Sequence, residues 1–198
     1  VLGDACTYYI HRTWTATDEC DSVTTATQIL TVTDTIDPIL IGVPANATVE
    51  CSDIPAPAVV TATDNCDEEM EVAYAEQFVP GDACTYTLIR YWTVSDNCGN
   101  TASASQTLIV TDTTNPTLNN VPASITVECD AIPAPANVTG SDNCDAQVEV
   151  TLVEVISEGC PYTVTRTWTG VDNCGNTVVD FQVINVIDST YPVLIGVP

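Results

Sequence analysis

The sequence predicts an all-β protein, a tandem series of disulfide-stapled β-sandwich repeats of about 76–78 residues each. Three observations carry that prediction. The first is self-similarity at a fixed step. Cys6, Cys20, Cys51 and Cys66 recur, with their spacing kept, as Cys84, Cys98, Cys129 and Cys144, and Cys84 and Cys98 recur once more as Cys160 and Cys174. Arg12, Arg90 and Arg166, which are all the Lys and Arg in the chain, keep the same step. The second is the absence of a sustained helical period. Thr, Val, Ile and Tyr dominate short runs punctuated by Pro, Gly and Asp-Asn, as half-buried strands and tight turns require. The third is the cysteine density. Four per complete repeat suits a unit too small to be held by its core alone and an oxidising, extracellular setting.

The proline segments set the phase. Residues 37–44 (DPILIGVP) match 115–122 (NPTLNNVP) and 191–198 (YPVLIGVP). Residues 37–114 and 115–190 therefore read as complete repeats, 1–36 as the C-terminal part of an earlier one and 191–198 as the start of the next. A segment of a longer array is the expectation.

Within 37–114, strands are expected near 39–50, 58–63, 70–79, 85–95 and 102–111. Pro55 and Pro57, Asp64-Asn65, Pro80-Gly81 and Asp96-Asn97 mark the turns. Five to seven antiparallel strands in so short a unit mean a sandwich. The run 85–95 is the clearest. Tyr86, Leu88, Arg90, Trp92 and Val94 fall on one face by the period of two. The Trp is then core and the Arg lies beside it, where it needs a carboxylate or backbone carbonyls. Glu50 and Glu128 recur in one place and are the expected partners of Arg90 and Arg166.

Pairing of the cysteines is argued from the path of the chain. Cys84 and Cys98 flank one extended strand, about 36 Å at ~3.3 Å per residue, too far for a bridge. Along the antiparallel path Cys51 and Cys84 share one end of the sandwich and Cys66 and Cys98 the other. The expectation is Cys51–Cys84 and Cys66–Cys98, with Cys129–Cys160 and Cys144–Cys174 in the next repeat, and Cys6 and Cys20 bridged to cysteines upstream.

Net charge is −24, from 27 acids against three Arg. Such a field repels nucleic acid, which is excluded as a partner. No Cys-x-x-Cys pair occurs and the single His11 is not repeated, so thiolate zinc is not expected. Nor is any apolar run long enough for membrane insertion. A secretion signal is expected outside this segment.

The same path gathers Asp34, Asp37, Asp64, Asn65, Asp67, Asp96, Asn97 and Asn100 at one repeat junction. At the next it gathers Asp112, Asp142, Asn143, Asp145, Asp172, Asn173 and Asn176. Clustered hard oxygens suit Ca2+; the other reading is that Asp and Asn only shape turns. No catalytic constellation is found, because every prominent carboxylate is periodic and His11 is replaced by Ile89 and Thr165 in the other repeats. An enzyme is not expected.

These motifs resemble the hyalin repeat, an immunoglobulin-like extracellular module. They are the Asp-x-x-x-Pro opening (DTTNP, 112–116), VPASITVE (121–128), Asp142-Asn143, and the late strand ending in Asp-Asn-Cys-Gly-Asn (172–176). The resemblance is to disulfide-rich versions that occur in tandem on large bacterial surface proteins. It implies an adhesive or structural role without enzymatic activity. Asp18-Glu19-Cys20-Asp21 departs from the pattern, which puts a cation site there in doubt. Two kinds of covalent glycan signal are present. Asn46 and Asn137 head sequons, and Thr35, Thr113 and Ser189 sit in recurring Asp-Thr/Ser segments similar to a bacterial O-glycan acceptor; turn chemistry is the alternative for the second kind and chance for the first.

The expected function is structural. A rigid extracellular stalk or filament of a cell surface would be built from neighbouring repeats of one chain. The rival is an adhesin recognising glycan or protein, for which the divergent stretch 67–83 is the natural place. Self-assembly of separate chains into filaments is the third reading.

Overall fold

The computed structural model describes residues 2–3 and 6–196. Val197 and Pro198, which close the third proline segment, lie outside the described residues. No helix occurs among the described residues, and thus none able to cross a membrane.

The chain opens with an antiparallel three-stranded sheet, β1 (Leu2–Gly3), β2 (Thr7–Thr17) and β3 (Val23–Thr33), in that order. Six strands follow: β4 (Ile39–Ile41), β5 (Ala47–Glu50), β6 (Thr61–Thr63), β7 (Ala73–Val79), β8 (Thr85–Ser95) and β9 (Thr101–Thr111). They form a four-stranded sheet of order β5-β9-β8-β7 and a two-stranded sheet β4-β6. The next six repeat the pattern. They are β10 (Thr117–Asn119), β11 (Ile125–Glu128), β12 (Thr139–Ser141), β13 (Glu149–Ile156), β14 (Tyr162–Val171) and β15 (Thr177–Ile187), in sheets β11-β15-β14-β13 and β10-β12. β11 runs parallel to β15, and β13–β14 and β14–β15 are antiparallel hairpins. The tandem, disulfide-linked β-sandwich is thus the observed fold class.

The expected first strand, 39–50, is two strands. Gly42 at φ +87° turns the chain out of β4, and Pro44 removes a donor before β5 can begin. Asn120 holds the equivalent position at φ +66°, a conformation that Asn tolerates better than most residues.

The long hairpin β8–β9 is set by its turn. Asp96 Oδ1 accepts hydrogen bonds from the backbone N–H groups of Cys98 and Asn100, both at 2.8 Å, and Gly99 supplies φ +88°. Asp172, Cys174, Gly175 and Asn176 repeat this in β14–β15. The departing turn at 18–21 keeps the geometry. Asp18 Oδ1 accepts from Cys20 N and Ser22 N, and Asp21 takes the left-handed conformation at φ +64°.

The core is small, and one buried cluster in it is Val164, Ile184 and Val186. Trp92 and Trp168 are 2% exposed, on strands whose sheets also bury Leu108 and Val110 or Ile184 and Val186. Trp14, their counterpart in β2, is 55% exposed. Among the described residues the β1–β3 sheet has no two-stranded partner like β4-β6 or β10-β12 to cover it.

Arg90 and Arg166 are 3% exposed, as the strand period predicts. Their partners differ from the expected ones. Arg90 Nε donates to Glu76 Oε2 at 2.8 Å, and its terminal nitrogens donate to the carbonyls of Pro55 (2.7 Å) and Ala56 (3.4 Å). Arg166 pairs with Glu154 at 2.7 Å and with the Pro133 carbonyl at 2.7 Å. Glu76 and Glu154 lie directly across the strand register from these arginines. Glu50 and Glu128 are on β5 and β11, each separated from the arginine strand by an intervening strand. The Arg90 hydrogen bond, joined by one from the Tyr74 hydroxyl, holds the Glu76 carboxyl below its ordinary pKa.

By contact density the chain forms two compact units. One comprises 1–48, 55–79 and 87–109; the other comprises 49–54, 80–86 and 110–198. The first holds the Arg90 core. The second holds the Arg166 core together with the tips of β5, β8 and β9.

Replacing Arg90 by Met should lower the melting temperature, since it leaves the Pro55 and Ala56 carbonyls without their donor, at about 1–3 kcal/mol. Glu76 has a depressed folded pKa, so its contribution is present above the ordinary Glu value and is lost as pH falls through the depressed one. The acid limb of a melting-temperature-against-pH curve should therefore be shallower in Arg90→Met than in the parent chain.

Candidate cation sites and cysteine bridges

Each compact unit contains a carboxylate cluster, and the two are built alike. In the first, ligand oxygens of Asp34, Asp64, Asp67 and Asp96 lie within 4.8 Å of one another. In the second, Asp112, Asp145 and Asp172 do so. Asp34 and Asp112 come from the segments that follow β3 and β9; Asp64, Asp67 and their counterparts Asp142, Asp145 follow β6 and β12; Asp96 and Asp172 open the long hairpin turns.

The hydrogen bonds show what holds the carboxylates and what is left over. Asp64 Oδ1 accepts from Cys66 N (2.8 Å) and Asp67 N (3.3 Å), and Asp142 Oδ1 accepts from Cys144 N (2.8 Å) and Asp145 N (3.1 Å). Asp67 and Asp145 each receive both the backbone and side-chain N–H of an asparagine, Asn97 and Asn173. Asn100 and Asn176 donate their side-chain amides to Asp96 and Asp172. Asp34 Oδ1 and Asp112 Oδ1 accept one backbone N–H each. Among the described residues, four buried carboxylate oxygens have no hydrogen-bond partner: Oδ2 of Asp34 and Asp64 in one unit, and Oδ2 of Asp112 and Asp142 in the other. The same two positions are orphaned in both.

A buried anionic oxygen without a donor costs free energy unless a cation meets it. Burial pushes the Asp112 carboxyl above its ordinary pKa, reinforced by the charges of Asp142, Asp172 and Glu50. At Asp96 burial also acts upward, but the Asn100, Cys98 and Gly99 hydrogen bonds outweigh it and leave the carboxyl lowered. The donor set is oxygen-rich, anionic and clustered, which fits a hard divalent cation of the Ca2+ type.

Not every expected ligand belongs. Asn97, Asn100, Asn173 and Asn176 spend their amides on the cluster's own carboxylates. Asn65 and Asn143 donate to the neighbouring sulfurs of Cys66 and Cys144. Asp37 is exposed and outside the groups. Glu50 and Glu128, displaced from the arginines, act elsewhere. Glu50 accepts from the backbone N–H and hydroxyl of Thr113, and Glu128 from those of Ser189. They tie down the segment after each long hairpin. Two of the hydroxyls singled out as O-glycan acceptors are thus hydrogen-bond donors in the bare chain.

The cysteine pairing differs from the expected one within both complete repeats, and Cys6 bridges downstream instead of upstream. The bridges are Cys6–Cys98, Cys51–Cys144 and Cys84–Cys174, with Cα–Cα distances of 5.1, 5.9 and 5.1 Å. Cys51–Cys84, Cys66–Cys98 and Cys144–Cys174 do not form, and Cys129 and Cys160 are free thiols, as are Cys20 and Cys66. The physical reason is that the antiparallel path gives each cysteine's end of the sandwich but not its partner's repeat. The bridged cysteines are 92, 93 and 90 apart in sequence, more than one repeat. A cysteine at one end of a repeat meets the turn cysteine of the following one.

The four free thiols obey the same rule. Cys129 and Cys160 occupy the positions of Cys51 and Cys84, and Cys20 and Cys66 those of Cys98 and Cys144. The same sequence step, taken in the matching direction from any of them, leaves the range 1–198. Partial desolvation and the charges of Asp34, Asp64 and Asp67 push the Cys66 thiol above its ordinary pKa.

These features define the class: a tandem β-sandwich protein whose repeats carry acidic turn clusters and cystines running from one repeat to the next. Residues 39–110 match the family model of the HYR-like domain with 4 cysteines. The hyalin-repeat resemblance stands there. No curated protein matches the chain.

Among solved structures, the chain is similar to a protocadherin gammaB7 EC3-6 cis-dimer (11% identity, 92% of this chain and 60% of that one, TM-score 0.35). It is also similar to Drosophila N-cadherin EC1-4 (14%, 93% and 59%, 0.30) and to human mucin-like protocadherin EC1-2 (13%, 77% and 98%, 0.29). It spans 60% of the first of these chains. Scores of this size mark a distant likeness, and the fold assignment stands on the strand pairing of this chain.

Peptide mapping without reduction should recover three cross-linked pairs, 6/98, 51/144 and 84/174, and alkylation should label Cys20, Cys66, Cys129 and Cys160. A Cys51–Cys84 or Cys66–Cys98 peptide would contradict the pairing.

Proposed function

We propose that this chain is an extracellular, adhesion-type repeat module that serves as a structural stalk, with a Ca2+-type cation closing each carboxylate cluster. The observation that carries the reading is the recurrence of the same two orphaned, buried carboxylate oxygens in both units, Asp34 and Asp64 in one and Asp112 and Asp142 in the other. A turn that needed Asp only for shape would use both oxygens on N–H groups, as Asp96 and Asp172 do. The cystines support an oxidising, extracellular location. The periodic placement of every clustered carboxylate supports a role in architecture over catalysis.

Adhesion through an exposed strand is the second reading. β7 and β13 are edge strands, and β13 exposes Val153, Val155 and Ile156, at 59%, 60% and 60%. An apolar edge of this kind is a template for pairing with another chain. It supports contact between copies, by which stalks would associate into filaments.

Two measurements test the proposal. At a hundredfold excess over its dissociation constant, calcium should stabilise the chain by about 2.7 kcal/mol per occupied site relative to chelator. Asp112→Asn should abolish the gain belonging to the second cluster and leave that of the first. An unchanged transition in calcium and chelator would remove the cation from the proposal. In electron micrographs of the secreted protein, single narrow particles support the stalk, lateral or end-to-end polymers support association through the edges, and compact globules would exclude both.

A further inference from the structure

The three bridges have a consequence for tension. Cys6 is joined to Cys98, and Cys84 to Cys174. Between Cys98 and Cys84 lies a short stretch of backbone, of which Thr85–Ser95 is the strand β8. Followed through covalent bonds alone, the route from Cys6 to Cys174 enters β8 at its C-terminal end, leaves it at its N-terminal end and bypasses everything else. That one strand is already extended, at about 3.3 Å per residue. β2 and β14 hold the same place in their own repeats, with Cys6 and Cys20 about one and Cys160 and Cys174 about the other.

We propose that the cystines make this protein a covalent tension line, in which force passes from repeat to repeat through one cysteine-ended strand and bypasses the rest of each sandwich. The line uses β8 between Cys6–Cys98 and Cys84–Cys174, and Cys160, at the far end of β14, is its continuation point. The Cys51–Cys144 bridge is off the line and serves to hold the turn that carries Cys144. A sandwich linked only through its termini lengthens when it unfolds under force. Here the sandwiches can unfold without lengthening the protein, because their residues lie in loops that the load path does not enter. This deepens the stalk reading by assigning which bonds carry tension, and it does not depend on cation binding.

Pulling the full chain by its two ends, with the four free thiols alkylated, tests the idea. Apart from the tails outside Cys6 and Cys174, the oxidised molecule should show no lengthening step below the forces that break covalent bonds. Adding a thiol reductant should release about 150 residues, roughly 500 Å at ~3.6 Å per residue.

The two kinds of bridge should then differ. Cys84→Ser with Cys174→Ser should release about 60 residues, roughly 200 Å, without reductant. Cys51→Ser with Cys144→Ser should release nothing, even if it melts at a lower temperature. Contour length depends on connectivity alone, so the test survives a loss of stability in either variant once the thiol count confirms the remaining bridges. Release of the full reductant-dependent length from the oxidised parent, or equal releases from the two double variants, would overturn the proposal. Neither result bears on the micrographs, so the failure of this inference and that of the stalk are separable.

Discussion

The contact on which the rest of this structure depends is the Asp carboxylate that opens each long hairpin turn. One oxygen of Asp96 takes the N–H groups of Cys98 and Asn100, and the other takes the Asn100 amide. That single side chain closes the β8–β9 turn and thereby fixes the register of the two longest strands of its sheet. It also sets Cys98 at the tip, within reach of Cys6, and brings Asn97 to Asp67. Asp172 does the same for Cys174 and Asn173. Because hydrogen bonds saturate the carboxylate of the hairpin turn, the unpaired oxygens fall elsewhere, on the residues that follow the preceding strand and on the Asp-Asn-Cys-Asp turn.

How much of this was legible in the sequence depends on the range of the interaction. The alternation through 85–95 correctly buries Arg90 and Trp92, since a period of two is a local property of the strand. The same alternation puts Trp14 in a core that β1–β3 alone does not make. The Arg partner was missed for a specific reason. Glu76 precedes Arg90 by 14 positions and Glu154 precedes Arg166 by 12, because the hairpin loop between them differs in length. Glu76 and Glu154 recur at the same step as Glu50 and Glu128, so periodicity offers both pairs and only cross-strand register selects the first. The better signal was that the strand before each arginine strand carries a Glu, whatever the loop.

The cysteines make the same point at longer range. Placing Cys51 and Cys84 at one end and Cys66 and Cys98 at the other follows from strand direction. The choice of repeat does not, because two cysteines at one end of a sandwich compete with those of the sandwich that continues from it. The segment between β9 and β10 is short and pinned, with Glu50 holding Thr113 and Asp112 N bonded to Cys84 O. That pinning brings Cys144 and Cys174 within reach of Cys51 and Cys84. Nothing in the spacing of cysteines alone reports it.

The cystines and the carboxylates also explain each other. In the second unit Asp112, Asp145 and Asp172 crowd within 4.8 Å, and among the described residues no Arg pairs with them. Mutual repulsion on this scale drives the contributing loops apart, at about 4 kcal/mol per close pair at an effective dielectric near 20. A hydrophobic interface could oppose that, but the segments that meet here are turns rich in Asp, Asn and Thr. Cys51–Cys144 and Cys84–Cys174 bind the same turns covalently, so the carboxylates stay together whether or not a cation is present. A cation bound there would adjust a geometry that the bridges already enforce. The bridges thus supply persistence, which lets a chain with net charge −24 keep its acidic turns together.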